Sequence, residues 1–397
     1  MVTEKLIVKN FGPIVNAELD LKKVTVLIGE QASGKSVLAK LVTMMNEEDI
    51  LEGDVNIPNW RYNLEFFNIE SFQLKISEVV FENENYKAEI TGKKYKIKYK
   101  TKQFKYLVNE LVKLEEEQTS IEDSLNLAFK DNDFEKASEL EASKGINKGN
   151  ILNFKNKLGK VIYHNLYIPA ERIIIAFASF INFEDMYLSD FMEKFEERKK
   201  RQLSFDFKPL NLNYSCIEDN KKGEEEDLIT IKEGVRHPLH MAASGIQSII
   251  PMQVLIETIN PIHKHLFIIE EPELNLYPNT QKELLKYLIE KCTKSDNRLI
   301  ITTHSPYILT ALNNLIQAHN VVKKNPEAAD EVAKIVPPQY QIDFEDVGVY
   351  FIANGTAKSI MNIENQLIDA NALDEVSNDI SEDFGKLLQL EFQNETL

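Results

Sequence analysis

Cysteine is nearly absent: the 397 residues include two, Cys216 and Cys292. Two thiols cannot build a disulfide framework or a cysteine-rich zinc site. Long apolar runs are missing too. No stretch approaches the roughly 20 residues a membrane helix needs, and the first residues lack the apolar core of a signal peptide. Positive charge is scarce: 46 Lys+Arg stand against 63 Asp+Glu, a net charge of −17. So acidic a chain does not coat nucleic acid through its overall field, although a local basic groove is compatible with it. Internal repeats and low-complexity segments are absent. Together these absences describe a soluble protein of a reducing compartment, expected in the cytoplasm. With 43% hydrophobic residues the core material is ample. At roughly 150 residues per domain the length suits two or three domains, or one large α/β domain with insertions.

The chain opens with strand patterns. Alternation over residues 5–10, a Phe11-Gly12-Pro13 turn, alternation from Ile14 to Leu21 and a β-branched run at Val24–Ile28 predict three strands. Val37, Leu38, Leu41, Met44 and Met45 have helical spacing. Residues 62–100 read mostly as strand, with a hairpin across Thr91-Gly92. Residues 101–160 read as a helical insertion, in which Thr119 and Glu122 would cap a second helix. A charged insertion spans 181–233. From Gly245 a βαβα rhythm sets in: helix to Ile259, strand His265–Ile269, helix Thr280–Lys291, strand Leu299–Thr302, helix Tyr307–Ala318. Such alternation implies a parallel sheet covered by helices. Residues 322–343 read as loop, and Val347–Ile352 with Lys358–Met361 as a hairpin across Asn354-Gly355.

Two local motifs carry chemistry. Gly29-Glu30-Gln31-Ala32-Ser33-Gly34-Lys35-Ser36 matches G-x-x-x-x-G-K-[ST] between a strand and a helix. In this phosphate-binding loop, backbone N–H groups running on to Val37 converge on anionic phosphates. Lys35 reaches the β- and γ-phosphates and the Ser36 hydroxyl ligates Mg²⁺. The expected cofactors are therefore ATP and Mg²⁺. The strand His265–Ile269 ends in Glu270-Glu271. Glu270 is expected to hold the metal and Glu271 to act as general base towards water. The usual metal residue is Asp, so Glu270 is one methylene longer.

Three more segments complete a pattern. Ala243-Ser244-Gly245-Ile246-Gln247 opens a helix before the carboxylates. Pro272-Glu273-Leu274-Asn275 follows them, and an apolar strand later ends at His304. With the Lys9-Asn10-Phe11-Gly12-Pro13-Ile14 opening and Ile168-Pro169-Ala170-Glu171-Arg172, the chain resembles ABC-type ATPase heads. The branch is that of RecF-like, SMC-like and overcoming-lysogenisation-defect (OLD) proteins. Residues 1–60 and 160–310 carry the likeness. It implies an α/β P-loop head with a mixed β lobe and a parallel-sheet lobe, over 1–100 and 161–361. The remainder would be helical insertion 101–160, charged insertion 181–233 and acidic tail 362–397. The resemblance also implies that two protomers sandwich ATP. Ser244, Gly245 and Gln247 of one would face the nucleotide of the other, and Asn275 would lie in the interface loop. His304 would touch the γ-phosphate. Ile246 replaces the glycine of the transporter signature. Gln73 is either the family's Mg²⁺-reaching glutamine or a plain strand residue. Arg172 is either an interface or phosphate arginine or a structural ion pair.

Many OLD-like proteins carry a TOPRIM nuclease domain. The residues after His304 contain no strand ending in the Asp-x-Asp that such a domain needs, so no nuclease activity is expected here. An ATPase of this kind works with a separate effector, a nuclease or toxin, as in bacterial anti-phage defence. A DNA-repair or chromosome-maintenance ATPase and a slowly hydrolysing scaffold are the alternatives. For DNA the relevant residues are Lys94, Lys96, Lys98, Lys100 and Lys102, alternate positions sharing one strand face. They are either a phosphate-contacting surface or a solvated edge protected by lysine. Residues 362–397 hold nine acids and one base, −8 of the −17. The chain is polarised rather than uniformly acidic.

Overall fold

The computed structural model describes residues 4–47, 51, 59–131, 133–180, 185–199, 204–219, 224–230 and 234–369. Among these, eleven strands form one mixed sheet. Its centre is parallel. β3 (Val24–Ile28) lies between β13 (Arg298–Thr303) and β14 (Val347–Ala353), and β12 (His265–Glu270) and β7 (His164–Ile168) extend the row. These strands are apolar almost throughout because helices cover both faces. Val24, Val26, Phe267, Ile269, Leu299 and Ile301 point to one core. There they meet α6 (Ser244–Glu257), α7 (Pro278–Cys292) and α8 (Pro306–Lys324). Leu27, Leu266, Ile268 and Ile300 point to the other, against α1 (Lys35–Met45). The period-2 alternation of the strands divides the two cores.

Beyond β14 the pairing is antiparallel except for one short parallel contact, at Thr356 and Asn16. β15 (Thr356–Ser359) hairpins onto β14 across Asn354 and Gly355, whose φ of 50° and 72° suit a type I′ turn. Then come β2 (Ile14–Leu21), β1 (Glu4–Phe11), β4 (Gln73–Glu82), β5 (Tyr86–Thr91) and the edge strand β6 (Lys94–Tyr99). A separate four-stranded sheet, β8 (Ser204–Phe207) to β11 (Arg236–Pro238), follows α5 (Met186–Lys199) within the charged segment.

Three expectations are corrected. Residues 62–100 are not all strand, since α2 (Asn59–Phe66) buries Trp60 and Leu64 at helical spacing. Thr119 and Glu122 do not open a helix. They lie inside α3 (Lys102–Lys130), where the Thr119 hydroxyl donates to the Glu115 carbonyl at 3.1 Å, one turn back. The real caps are Thr101 for α3 and Asp133 for α4 (Phe134–Leu158), each accepting the amide three residues on. The two long helices pack as an antiparallel hairpin. Residues 322–343 are not plain loop either: α8 runs to Lys324 and α9 (Ala329–Ile335) follows. Of the acidic tail, residues 370–397 lie outside the described residues, as do parts of the charged segment. No helix among the described residues is long and apolar enough to cross a membrane.

Candidate functional site: a phosphate loop facing two carboxylates and a histidine

The C-terminal ends of β3, β12 and β13 lie side by side, and each releases one part of the site. β3 leads into the loop 29–34, which enters α1 through Gly34 at φ +103°. Both loop glycines sit where a side chain cannot. A Cβ on Gly29 would lie 2.2 Å from the Ile352 carbonyl oxygen, and one on Gly34 2.5 Å from Ile14 Cδ1. The β14 end and the Pro13-Ile14 turn therefore brace the loop from behind. Glu30, Gln31 and Ala32 are exposed. Val37 is buried in the core, so only its backbone belongs to the loop.

Lys35 is turned into the loop. Its ammonium donates to the Gly29 carbonyl at 2.9 Å and the Glu30 carbonyl at 2.6 Å, with Ser33 Oγ at 3.5 Å. Burial lowers its pKa, while Glu271, Glu270 and Glu273 oppose that shift. His304, at the end of β13, joins the parts. Its Nδ1 lies 3.3 Å from Lys35 Nζ and 3.0 Å from the Gly29 carbonyl, and its Nε2 2.6 Å from Glu271 Oε1. With the proton on Nε2 the ring donates to Glu271 and accepts from the ammonium. One side chain thus bridges the phosphate loop to the second carboxylate.

Glu271 has φ +43°, a left-handed conformation that costs about 1–2 kcal/mol for a side-chain-bearing residue. Neighbours hold it there. Its amide donates to the Thr302 carbonyl at 2.9 Å, and its carbonyl accepts from Arg172 at 2.6 Å. Arg172 is fully buried and touches no phosphate-facing surface. Its fork also donates to the carbonyls of Glu270 (2.6 Å), Pro169 (3.0 Å) and, on α6, Ser248 (3.0 Å). Neither an interface arginine nor an ion pair, it is an internal clamp on backbone carbonyls. Desolvation lowers its pKa to about 10, so it stays charged at neutral pH.

Glu270 is buried, and burial raises its pKa against hydrogen bonds from Tyr167 and Ser36 and the charge of Lys40. Tyr167 Oη donates to Glu270 Oε1 at 2.6 Å. A serine hydroxyl beside a carboxylate is a hard oxygen donor set, and a buried carboxylate favours a cation, so Ser36 and Glu270 fit Mg²⁺. Glu273 acts from behind. One of its oxygens accepts the Thr303 hydroxyl and the His304 amide, and the other is buried without a partner among the described residues.

The signature residues divide. Ser244 is exposed at the first turn of α6. A Cβ on Gly245 would lie 2.8 Å from the Asn275 carbonyl oxygen, so glycine there lets the 272–277 loop close onto the helix start. Asn275, itself at φ +62°, is exposed beside it. Gln247 is corrected. It is buried, and its amide donates to the His240 carbonyl at 2.8 Å, so it shapes its own loop. Gln73 is the first residue of β4 and its amide donates to the Gly92 carbonyl in the β5–β6 turn, which agrees with the plain strand reading. Sequence reasoning missed Tyr167, one residue before a segment it had singled out, and the work of Glu273, which lies inside one.

With this geometry, the family comparison is decisive. A model described as "AAA domain, putative AbiEii toxin, Type IV TA system" matches residues 24–310, more than half of the chain. The chain belongs to this AAA-domain family. It is accordingly a P-loop ATPase of the AAA/ABC type. Among curated proteins no match is found. Similar solved structures include the Smc head domain of Pyrococcus furiosus with an extended coiled coil, bound to the C-terminal domain of ScpA. It is 13% identical, covers 95% of this chain and 100% of its own, and has a TM-score of 0.39. The SMC head domain from Thermotoga maritima is 13% identical over 91% and 98%, with a TM-score of 0.40.

Proposed function

We propose that this chain is an Mg²⁺-dependent ATPase of the RecF/SMC/OLD-like branch. Two copies close around ATP and control a separate effector, a nuclease or toxin, in bacterial anti-phage defence. The observation that carries the enzymatic part is the bridge Lys35–His304–Glu271, which joins phosphate loop and general base at one point. Lys35 and the loop amides bind the phosphates. Glu271 takes the proton of the attacking water, and the His304 hydrogen bond orients its carboxylate. Ser36 with Glu270 would hold Mg²⁺, which would supply positive charge against the phosphates.

Dimerisation draws on Ser244 and Asn275, which lie side by side at the surface and suit a second copy's nucleotide. Membership of a family that includes a type IV toxin–antitoxin component supports a defence or toxin–antitoxin setting. The DNA alternative is weakened by the face that carries the lysine row. By strand register Lys94, Lys96 and Lys98 share it with Lys87, Lys5 and Lys9, but also with Glu89, Glu78, Glu82, Glu18 and Asp20. Six strand lysines against five acids leave +1 over the sheet, and Lys100 just beyond β6 raises that to +2. Lys100 is itself paired with Glu82 at 2.8 Å. That is a charge lattice with a basic edge rather than a phosphate platform.

Steady-state ATP turnover tests the enzyme reading. Lys35→Ala abolishes nucleotide binding, and Glu271→Gln keeps binding while lowering turnover by about 10²-fold or more, the low end of general-base contributions. If wild type hydrolyses no faster than Glu271→Gln, the chain is a nucleotide-locked scaffold.

A further inference from the structure

Away from the nucleotide site, α7, α8 and α9 enclose an apolar groove of about 350 Å³. Leu315, Ala318 and Val332 form its floor, Ile335 stands at its lip, and Lys282 and Lys286 flank it. Ile335 is 78% exposed, a large apolar side chain left to water at the edge of the groove. We propose that residues 370–397 of the same chain dock in this groove.

Placement favours that occupant. The last described strand, β17 (Leu367–Ile368), is pinned to α8. Asn313 donates to the Ile368 carbonyl at 3.0 Å and accepts its amide at 2.8 Å, and Asn320 donates to the Gln366 carbonyl at 2.9 Å. Asn314 and Val321, the next positions round the same helix, line the groove. The segment therefore starts within about one helix diameter, roughly 10 Å, of it. Its tether gives it a high effective concentration that no free partner has.

Chemistry favours it too. Ile380, Phe384, Leu387 and Leu388 recur at i, i+4, i+7 and i+8, the spacing that lays one apolar stripe into a groove. Residues 370–397 carry seven acids and Lys386, a net −6, opposite Lys282 and Lys286, which share Glu283 at 3.5 and 2.9 Å and leave one positive charge in excess. The stripe answers the floor and Ile335, while Glu382 and Asp383 answer the lysines.

Hydrogen exchange of the full chain, read by mass spectrometry, tests this without nucleotide. Amides of 380–392 are expected to exchange about tenfold or more slowly than in a free peptide of the same sequence. Ile335→Asp and, separately, Leu387→Asp should each remove that protection while β3, β12 and β13 exchange as in wild type. Free-peptide exchange in the wild type, or protection that survives both substitutions, overturns the proposal. A second variant, Ile335→Cys with Phe384→Cys, decides whose segment it is. A disulfide within monomers supports the proposal, and a disulfide only between chains overturns it in favour of a second copy.

Discussion

Arg172→Met removes the clamp behind the carboxylates, and its cost follows from the bonds it breaks. The guanidinium is fully buried and donates to four backbone carbonyls, including those of Glu270 and Glu271. Methionine fills much of the volume but donates nothing. Each orphaned carbonyl costs about 1–3 kcal/mol. Relief from burying a charge offsets part of that sum, so removing the hub costs about 3–5 kcal/mol. For 397 residues, at about 2.1 cal/mol/K of unfolding entropy per residue, the melting temperature falls by about 4–6 °C. Activity falls further than stability implies. Without the bond to its carbonyl, Glu271 leaves its φ of +43° and its carboxylate moves away from His304. Scanning calorimetry and ATP turnover on the same preparation measure both effects. Arg172→Lys keeps the charge but not the fork, so it falls between. If Arg172→Met melts within about 1 °C of wild type, well inside the expected shift, and turns over normally, the clamp reasoning is wrong.

Two other perturbations probe separate regions. Tyr167→Phe deletes the hydroxyl that donates to Glu270, so half-maximal activity should need about tenfold more Mg²⁺, as for lost partners of metal ligands. ATP binding measured without metal should be unchanged, and an unaltered Mg²⁺ titration would refute the role. At the N-terminal end of the same strand, His164 packs against His263 and His265. Burial, then those two rings, lowers its pKa from 6.5 to about 4. Above about pH 6.5 both folded and unfolded states hold it neutral. As pH falls from there towards 4 only the unfolded state takes the proton, so stability is lost on acidification. Partial exposure discounts the effect to about 1–2 kcal/mol. His164→Phe should flatten the dependence of melting temperature between pH 7 and pH 5, and an equal slope in both proteins would exclude His164 as its source.

What was legible in the sequence was what is local. The phosphate loop, the carboxylate pair and His304 each sit where an apolar strand ends, and the parallel sheet brings strand ends together. The α6–α8 region followed the same logic up to Ala318. Long-range partners left no such trace. Tyr167 meets a carboxylate 103 residues on, and Arg172 gathers four carbonyls from three places, so neither spacing nor residue type announced them. Gln247 and Gln73 stand near family positions, yet backbone carbonyls satisfy their amides within the protomer. Thr119 and Glu122 had the composition of a cap, but a continuous 29-residue helix overrode it. The lysine row was legible as a face, while the acids opposite it came only with the strand register.

The central claim is that two copies close around ATP. The direct test is the solution mass of Glu271→Gln by sedimentation equilibrium, with and without MgATP. The account predicts 45.7 kDa without nucleotide and twice that with it. It also predicts that Ser244→Arg, at the exposed start of α6, prevents the doubling while leaving ATP binding intact. A Glu271→Gln chain that binds ATP and stays at 45.7 kDa would contradict the account.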